Sequence, residues 1–354
     1  MSTEAKELIE RTVYGYKWFK GLEEWFDTEV PEMNFIKVSN TKEYFKKIEE
    51  IPYTTVVLTV IPDEMSVDYD EDPYMPLKQE YASRGIPSQM INFSTCRNLR
   101  DSPAVLYNIA LNIYAKAGGT PWILAEPFQT DAAIGLDTGG GAAAATLLYN
   151  WTNLTFTWET EANPSVREVL SLETLLNKLI EKIAEENKPP SNIVFHKEGL
   201  FHPREIYLLR KLVEGWKIEG IVEEDFQYTV VEVKKKCVPR ILREQGARYY
   251  NPVKGTCLVL DKYKALVTTT GYPDKILHTA PVKPLIVEIA DTSNWDTANI
   301  LQYTKQVYWL SELHWGSGIF TSKYPITTLY AHRIIAFWTQ GIHPTEEEST
   351  LWFL

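Results

Sequence analysis

AAIGLDTGGGAAAATLLYNWTNLTFTWE, residues 132–159, decides the fold. It reads as three consecutive short strands, 134–138, 142–150 and 154–159, separated by turn residues, Gly139 to Gly141 and then Asn150 to Asn153. The glycine run does not read as a phosphate loop, because no Gly-Lys-Ser/Thr follows it. Asp137, at the end of the first strand, reads on its own as a capped strand end.

Downstream, apolar periodicity predicts a long helix over 166–187, a strand at 193–196 and a helix over 203–214. β-rich sequence runs to Ala290, and helices over 297–314 and 325–338 follow. Three antiparallel strands, then helix, strand and helix, is the order of an RNase H-like domain, an order that other α/β folds share. Upstream, 34–38 reads as a strand, 41–51 as a helix capped by Thr41, and 54–61 as a buried parallel strand. After the acidic loop 63–72 come a helix ending at Gly85 and a strand at 90–93. A further helix has Ser102 as cap, Pro103 in its first turn and Gly118-Gly119 as its stop. This is a small Rossmann-like unit. The first 30 residues read as one amphipathic helix bearing Leu8, Val13, Tyr16, Trp18, Phe19 and Leu22, a docking surface. The expected class is α/β: a helical extension at 1–30, a Rossmann-like domain at 31–125 and an RNase H-like domain at 126–354.

A chain of 354 residues, 44% hydrophobic and 23% charged, has the composition of a globular protein. No run approaches the roughly 18 to 20 apolar residues that span a bilayer, and the start is polar and acidic, so a cytoplasmic protein is expected. Cys96, Cys237 and Cys257 are too scattered for a disulfide framework or a zinc motif, and are expected to be buried or half-buried. A net charge of −11 argues superficially against nucleic acid. Residues 1–72, however, hold 17 acidic against 8 basic side chains, so the rest is nearly neutral and free to carry a basic groove.

Five segments, in order, resemble the MID and PIWI domains of the Argonaute family. They are Asn108-Ile-Ala-Leu-Asn-Ile-Tyr-Ala-Lys-Ala-Gly-Gly119, Ile134-Gly-Leu-Asp-Thr-Gly139, Ile193-Val-Phe-His-Lys-Glu-Gly199, Thr269-Thr-Gly-Tyr-Pro273 leading to Lys283-Pro-Leu-Ile-Val-Glu288, and Leu313-His-Trp315 with Tyr324-Pro-Ile-Thr-Thr-Leu-Tyr-Ala-His332. The resemblance covers 35–354 and leaves no room ahead for N and PAZ domains, so it is to a short prokaryotic or archaeal Argonaute.

The resemblance implies that Tyr74, Lys78, Gln89 and Lys116 hold the 5′ phosphate of a guide strand. A phenol, an amide and two ammonium groups are suitable donors to phosphate oxygens. Without the resemblance, a Tyr and a Lys four apart are ordinary on any helix, and Pro76 leaves the helicity of Tyr74 open. Asn112, one turn before Lys116, resembles the family version in which an amide and the terminal carboxylate, here that of Leu354, hold Mg²⁺ or Mn²⁺ against the phosphate.

For the nuclease site the resemblance implies carboxylates holding two metal ions. Asp137 matches the first position and His332 the last; on its own His332 reads as a satisfied helix histidine beside Tyr330. Glu198 stands where an Asp is expected, and for a mobile Glu the candidates are Glu168 and then Glu173. A Glu reaches further than an Asp, and two-metal geometry tolerates such displacement badly. The site therefore reads as vestigial.

Lys234, Lys235 and Lys236 with Arg240 and Arg243, beside Arg248, Tyr249 and Tyr250, are either a solvated face or a channel for nucleic-acid backbones. Lys197, Arg204, Arg210 and Lys211 are candidates to extend it. The preferred reading is a sensor in antiviral defence that loads a short guide RNA or DNA and recognises a complementary target without cutting. Its expected partner is a separately encoded PAZ-like or effector protein. A metal-dependent guide-directed endonuclease and a fold that has lost nucleic-acid binding are the alternatives.

Overall fold

The computed structural model describes residues 3–51, 56–63, 72–162, 168–186, 189–236, 239–271, 281–318, 322–344 and 351–354. The chain forms two compact units, one from residues 1–122, 315–320 and 340–354, the other from 123–314 and 321–339. This grouping differs from a linear division at 30 and 125, because both chain ends pack into the first unit.

In the first unit, α1 (Thr3–Tyr14) and α2 (Leu22–Phe26) replace the single helix expected over the first 30 residues. Gly15 and Gly21 lie at φ +97° and +94°, where a Cβ would strike backbone at 2.5 and 2.3 Å, so the chain reverses between them. Ala5, Leu8, Phe19 and Leu22 then share a core with Ile91, Cys96, Leu106 and Ala110. The strand expected at 34–38 is absent: this segment has no regular secondary structure, and Phe35 and Ile36 are exposed. α3 (Thr41–Ile48) is capped by Asn40, whose side chain accepts from Glu43 N, rather than by Thr41.

β1 (Val57–Ile61) and β2 (Ser88–Asn92) pair in parallel, Val57 opposite Ser88, with α4 (Tyr74–Ser83) as the crossover. Tyr74 is the first helical residue, its amide donating to Asp72 Oδ1 at 2.9 Å. Pro76 is tolerated because a first-turn N–H has no helical acceptor to lose. α5 (Phe93–Asn98) and α6 (Pro103–Lys116) complete the unit.

The second unit opens with β3 (Ala132–Gly139), β4 (Ala142–Tyr149) and β5 (Thr155–Ala162), then α7 (Glu168–Glu186), β6 (Asn192–Glu198), α8 (Pro203–Glu219) and β7 (Gln227–Lys234). The helix expected over 203–214 runs on to Glu219, starting in a capping box of His202 and Glu205 and stopping at Gly220 in the left-handed region. A small hairpin, β8 (Arg243–Gln245) and β9 (Arg248–Tyr250), precedes β10 (Cys257–Asp261), β11 (Lys264–Val267) and β12 (Leu285–Thr292). α9 (Ile300–Glu312) and α10 (Ile326–Trp338) follow.

The eight-stranded sheet runs β10-β11-β12-β7-β6-β3-β4-β5, with β7, β6 and β3 mutually parallel. Gly139 pairs with Ala142 across Gly140 and Gly141, both at positive φ, so the glycine run is a two-residue hairpin turn. Cys96 is buried; Cys257 is exposed on the outermost strand, contrary to expectation, and Cys237 lies outside the described residues. Among the described residues no helix is long and apolar enough to cross a membrane.

The sheet is covered on both faces. Ile134 and Leu136 pack with Leu172, Leu176 and Leu179 of α7 and Leu209 of α8. The alternate residues of β3, Gly135 and Asp137, therefore look to the other face, which α10 covers. A Cβ on Gly135 would lie 2.3 Å from the backbone of Thr327, so α10 sits directly against the bare strand. Thr146 Oγ1 donates to Thr327 O at 2.8 Å, and His196 Nδ1 shares a hydrogen bond of 3.0 Å with Thr327 Oγ1. Burial pushes His196 down to about 3, so the ring is neutral there.

Gly135→Ala is expected to lower stability by about 3 kcal/mol, the upper range for overpacking a core. Gly215→Ala, inside α8 with nothing within 4 Å of the added carbon, is expected to raise it by about 0.5–1 kcal/mol. Urea unfolding midpoints of the two variants check both signs.

Candidate nucleic-acid interface

In the first unit, four of the residues expected at the phosphate lie on three adjoining elements. Tyr74 and Lys78 are one turn apart on α4, Gln89 is on β2, and Lys116 ends α6. Their focus is a group with no letter of its own in the sequence, the carbonyl of Ser88. Lys116 Nζ donates to Ser88 O at 2.9 Å and to Gln89 Oε1 at 2.8 Å. Lys78 Nζ approaches the same carbonyl at 3.5 Å and donates to Trp352 O at 2.5 Å. Both lysines are 2–3% exposed, which is exceptional for this residue type. Burial lowers Lys78 to about 8. The last turn of α6 suits the charge of Lys116, since the helix dipole is negative there.

Asn112, one turn before Lys116, donates from Nδ2 to Asn108 O at 2.8 Å and to Gly316 O at 3.2 Å. Both amide hydrogens are thereby committed, and the group left to offer a ligand is Oδ1, a hard oxygen of the kind Mg²⁺ or Mn²⁺ takes. Leu354 follows the buried pair Trp352 and Phe353, which dock the segment 351–354 in this unit. Asn112 Oδ1 suits a divalent ion by donor type.

In the second unit, two of the residues expected at a nuclease site meet. Asp137 Oδ2 and His332 Nδ1 are 2.9 Å apart, so His332 is not a helix histidine satisfied beside Tyr330. Asp137 Oδ1 accepts from Thr138 N at 2.9 Å. Register places Leu136 opposite Lys197 and Glu198 opposite Val233, which sets Asp137 and Glu198 side by side at the ends of β3 and β6. Glu198 is paired with Lys235. By hydrogen bond and by charge Glu198 holds the Lys235 ammonium above the usual lysine range, and Tyr324 and Asp137 add smaller contributions of the same sign.

Glu173 belongs to α7, which packs on the sheet face opposite to Asp137, so the structure does not bring it to the cluster. Glu168 opens the same helix, and its side chain lies outside the described part. Among the described residues no group of three or more His, Cys, Asp or Glu is placed to hold a metal ion. Of the expected nuclease residues, the described ones brought together are Asp137 and His332, with Glu198 beside Asp137 in register.

Two residues of the basic stretch, Lys234 and Lys235, are paired with carboxylates. Lys234 Nζ lies 2.7 Å from Glu232 and 2.5 Å from Glu288, and Lys235 pairs with Glu198. Lys197 does not extend it, being buried against Glu205 at 2.5 Å, and Arg210 is paired with Asp291 at 2.5 Å. Lys236, Arg204, Lys211, Arg248 and Tyr249 are exposed, Arg240 is half-buried, and Arg243 lies 5.6 Å from the centre of the Tyr250 ring. Reading residue types along the chain missed the Ser88 and Trp352 carbonyls and the place of Lys235 in the acidic cluster. For Lys235 the deciding fact is the register of two parallel strands, Val233 opposite Glu198, which the sequence does not display.

Comparison with known proteins agrees with this geometry. Residues 56–343 match the Piwi domain family. The chain is 24% identical to a Piwi protein of Archaeoglobus fulgidus over 77% of this chain and 66% of that one. It is 22% identical to protein argonaute-3 of Drosophila melanogaster over 77% of this chain and 32% of the relative. The solved Clostridium butyricum Argonaute bound to a guide DNA and a 19-mer target DNA superposes with a TM-score of 0.70 at 29% identity, covering 89% of this chain and 41% of that one. The chain thus spans from about a third to two thirds of the length of these relatives. Since the Piwi match takes in most of the chain and the sheet order, the Asp137–His332 contact and the lysine pocket all lie where the quoted motifs lead, this chain belongs to the Piwi domain family of Argonaute-like proteins.

Proposed function

We propose that the chain binds a short guide strand by its 5′ phosphate in the first unit and recognises complementary nucleic acid through the guide without cutting it. The observation that carries this is the convergence of Lys78 and Lys116 on one buried carbonyl, that of Ser88, with Gln89 Oε1 accepting from Lys116 beside it. Burying two ammonium groups together is costly, and an anion seated against both offsets that cost. Tyr74, on the same face of α4 as Lys78, adds a phenol donor. A divalent ion held by Asn112 Oδ1 and a carboxylate at Leu354 would supply further positive charge to the phosphate. The relative solved with guide and target DNA supports nucleic acid as the partner class.

The non-cutting half draws on Glu198, displaced by one methylene from the expected Asp and engaged with Lys235. Loss of cutting with retained pairing suits a cytoplasmic sensor in prokaryotic defence that reports to a separate PAZ-like or effector protein, with base pairing supplying the specificity. The slicing alternative draws on the Asp137–His332 contact, which is in place.

A 5′-phosphorylated short oligonucleotide is expected to bind about tenfold to a hundredfold more tightly than its 5′-hydroxyl counterpart, the range for charged hydrogen bonds. Lys116→Met with Gln89→Ala should erase that difference in a filter-binding titration; an unchanged ratio in the variant removes the pocket from the explanation.

The same ratio has a pH signature. Lys78 in the empty pocket is cationic below about 8 and neutral above it, so above pH 8 phosphate binding must take up a proton. The 5′-phosphate advantage should therefore fall as pH rises from 8 towards 10, by up to about tenfold per unit, and Lys78→Met should flatten the profile.

Guide-loaded protein incubated with matched target and Mn²⁺ is expected to give no product. A single cut at a fixed distance from the guide's 5′ end, read on a denaturing gel, overturns the non-cutting reading and leaves the binding reading intact.

A further inference from the structure

The acidic cluster of the second unit contains a cation of its own. β3, β6 and β7 lie side by side and parallel, so Asp137, Glu198 and the continuation of β7 past Val233 reach the same level of the sheet. Val233 is the register partner of Glu198, and Lys235, two residues on, keeps to the same face. Its ammonium pairs with Glu198 Oε1 and lies 6.0 Å from the centre of the Tyr324 ring. Both oxygens of Asp137 are engaged, one by Thr138 N and one by His332. Lys235, an exposed residue, thus has its ammonium at the solvent edge of these carboxylates, paired with Glu198, although the sequence places it in a run that otherwise reads as a channel.

We infer that Lys235 is the resident cation of this cluster: its ammonium takes the place beside Glu198 and Asp137 that a divalent ion needs, and so keeps the cluster free of metal. Both cations seek the same oxygens. An ammonium binds through directed N–H donors and brings one positive charge, which neutralises Glu198 without polarising a water as a metal does. A divalent ion entering beside it meets like-charge repulsion on top of the broken Glu198 hydrogen bond. Because Lys235 is covalently tethered it is always at hand, so its local concentration exceeds that of any free ion. The cation is also held from a third side, by the face of Tyr324. The inference deepens the non-cutting half of the proposed function, giving it a cause beyond the length of Glu198, and is independent of the phosphate pocket.

The test is Mn²⁺ binding to the full guide-free chain, followed by electron paramagnetic resonance of free ion and by isothermal titration. With Lys235 present, Asp137→Asn is expected to leave Mn²⁺ binding unchanged. In Lys235→Gln, Mn²⁺ should bind at least tenfold more tightly than in the parent chain, and adding Asp137→Asn should remove the gain. Lys235→Met, which keeps an apolar stem to pack on Tyr324, serves if the glutamine variant does not fold. The inference is overturned if the parent chain binds an ion that Asp137→Asn abolishes, or if neither substitution of Lys235 raises Mn²⁺ affinity. The 5′-phosphate preference, measured on the same preparations, separates failure of this inference from failure of the guide-binding reading.

Discussion

Helix α10 can lie on the sheet of the second unit because position 135 carries no side chain. Backbone of Thr327 occupies the space that a Cβ would need, and contact this close leaves the helix no freedom to slide. Thr327 is then tied from both sides, by Thr146 on one neighbouring strand and His196 on the other. His332 rides on this helix five residues further on, over a turn away, and arrives at Asp137. The meeting of those two side chains is thus a consequence of packing settled elsewhere, at a glycine, two threonines and a neutral histidine.

The two units treat buried charge in opposite ways. In the first, ammonium groups are drawn together around a carbonyl and an amide oxygen, an arrangement that leaves positive potential in a dry place. In the second, carboxylates are matched with lysines: Glu198 with Lys235, Glu288 of β12 with Lys234 and Lys264 of the flanking strands, and Glu205 of α8 with Lys197. That contrast separates the two sites more sharply than residue identity does.

The elements that were legible in the sequence are those whose signal is local. β3 to β5 announce themselves by short apolar runs and by turn residues, and α7 by its period, because strand and helix alternation need only near neighbours. The two short helices at the start were not legible, since glycines 15 and 21 act through left-handed backbone that composition does not display. The segment 34–38 has strand-forming residues but no partner edge, and without a partner it forms no strand. At the sites, Tyr74, Lys78, Gln89, Asn112 and Lys116 were found as types in a motif. The carbonyl that Lys78 and Lys116 share was not, because a backbone oxygen has no sequence signature. Lys235 was assigned to a channel because register between parallel strands is a long-range property, invisible when charges are read along one strand.

The lysine pocket bears on the fate of the protein as well as on its ligand. Burial holds Lys78 away from water and lowers it to about 8, so keeping its charge there costs the native state free energy. Occupancy by a phosphate reverses the sign, and mass action then stabilises the loaded chain in proportion to the logarithm of ligand over its dissociation constant. Because Lys78 also holds the carbonyl of Trp352, the loss is felt at the anchor of the segment 351–354. If the proposed guide binds there, molecules without it would open more often and be the first that proteases remove, which would tie the amount of protein to the supply of guides.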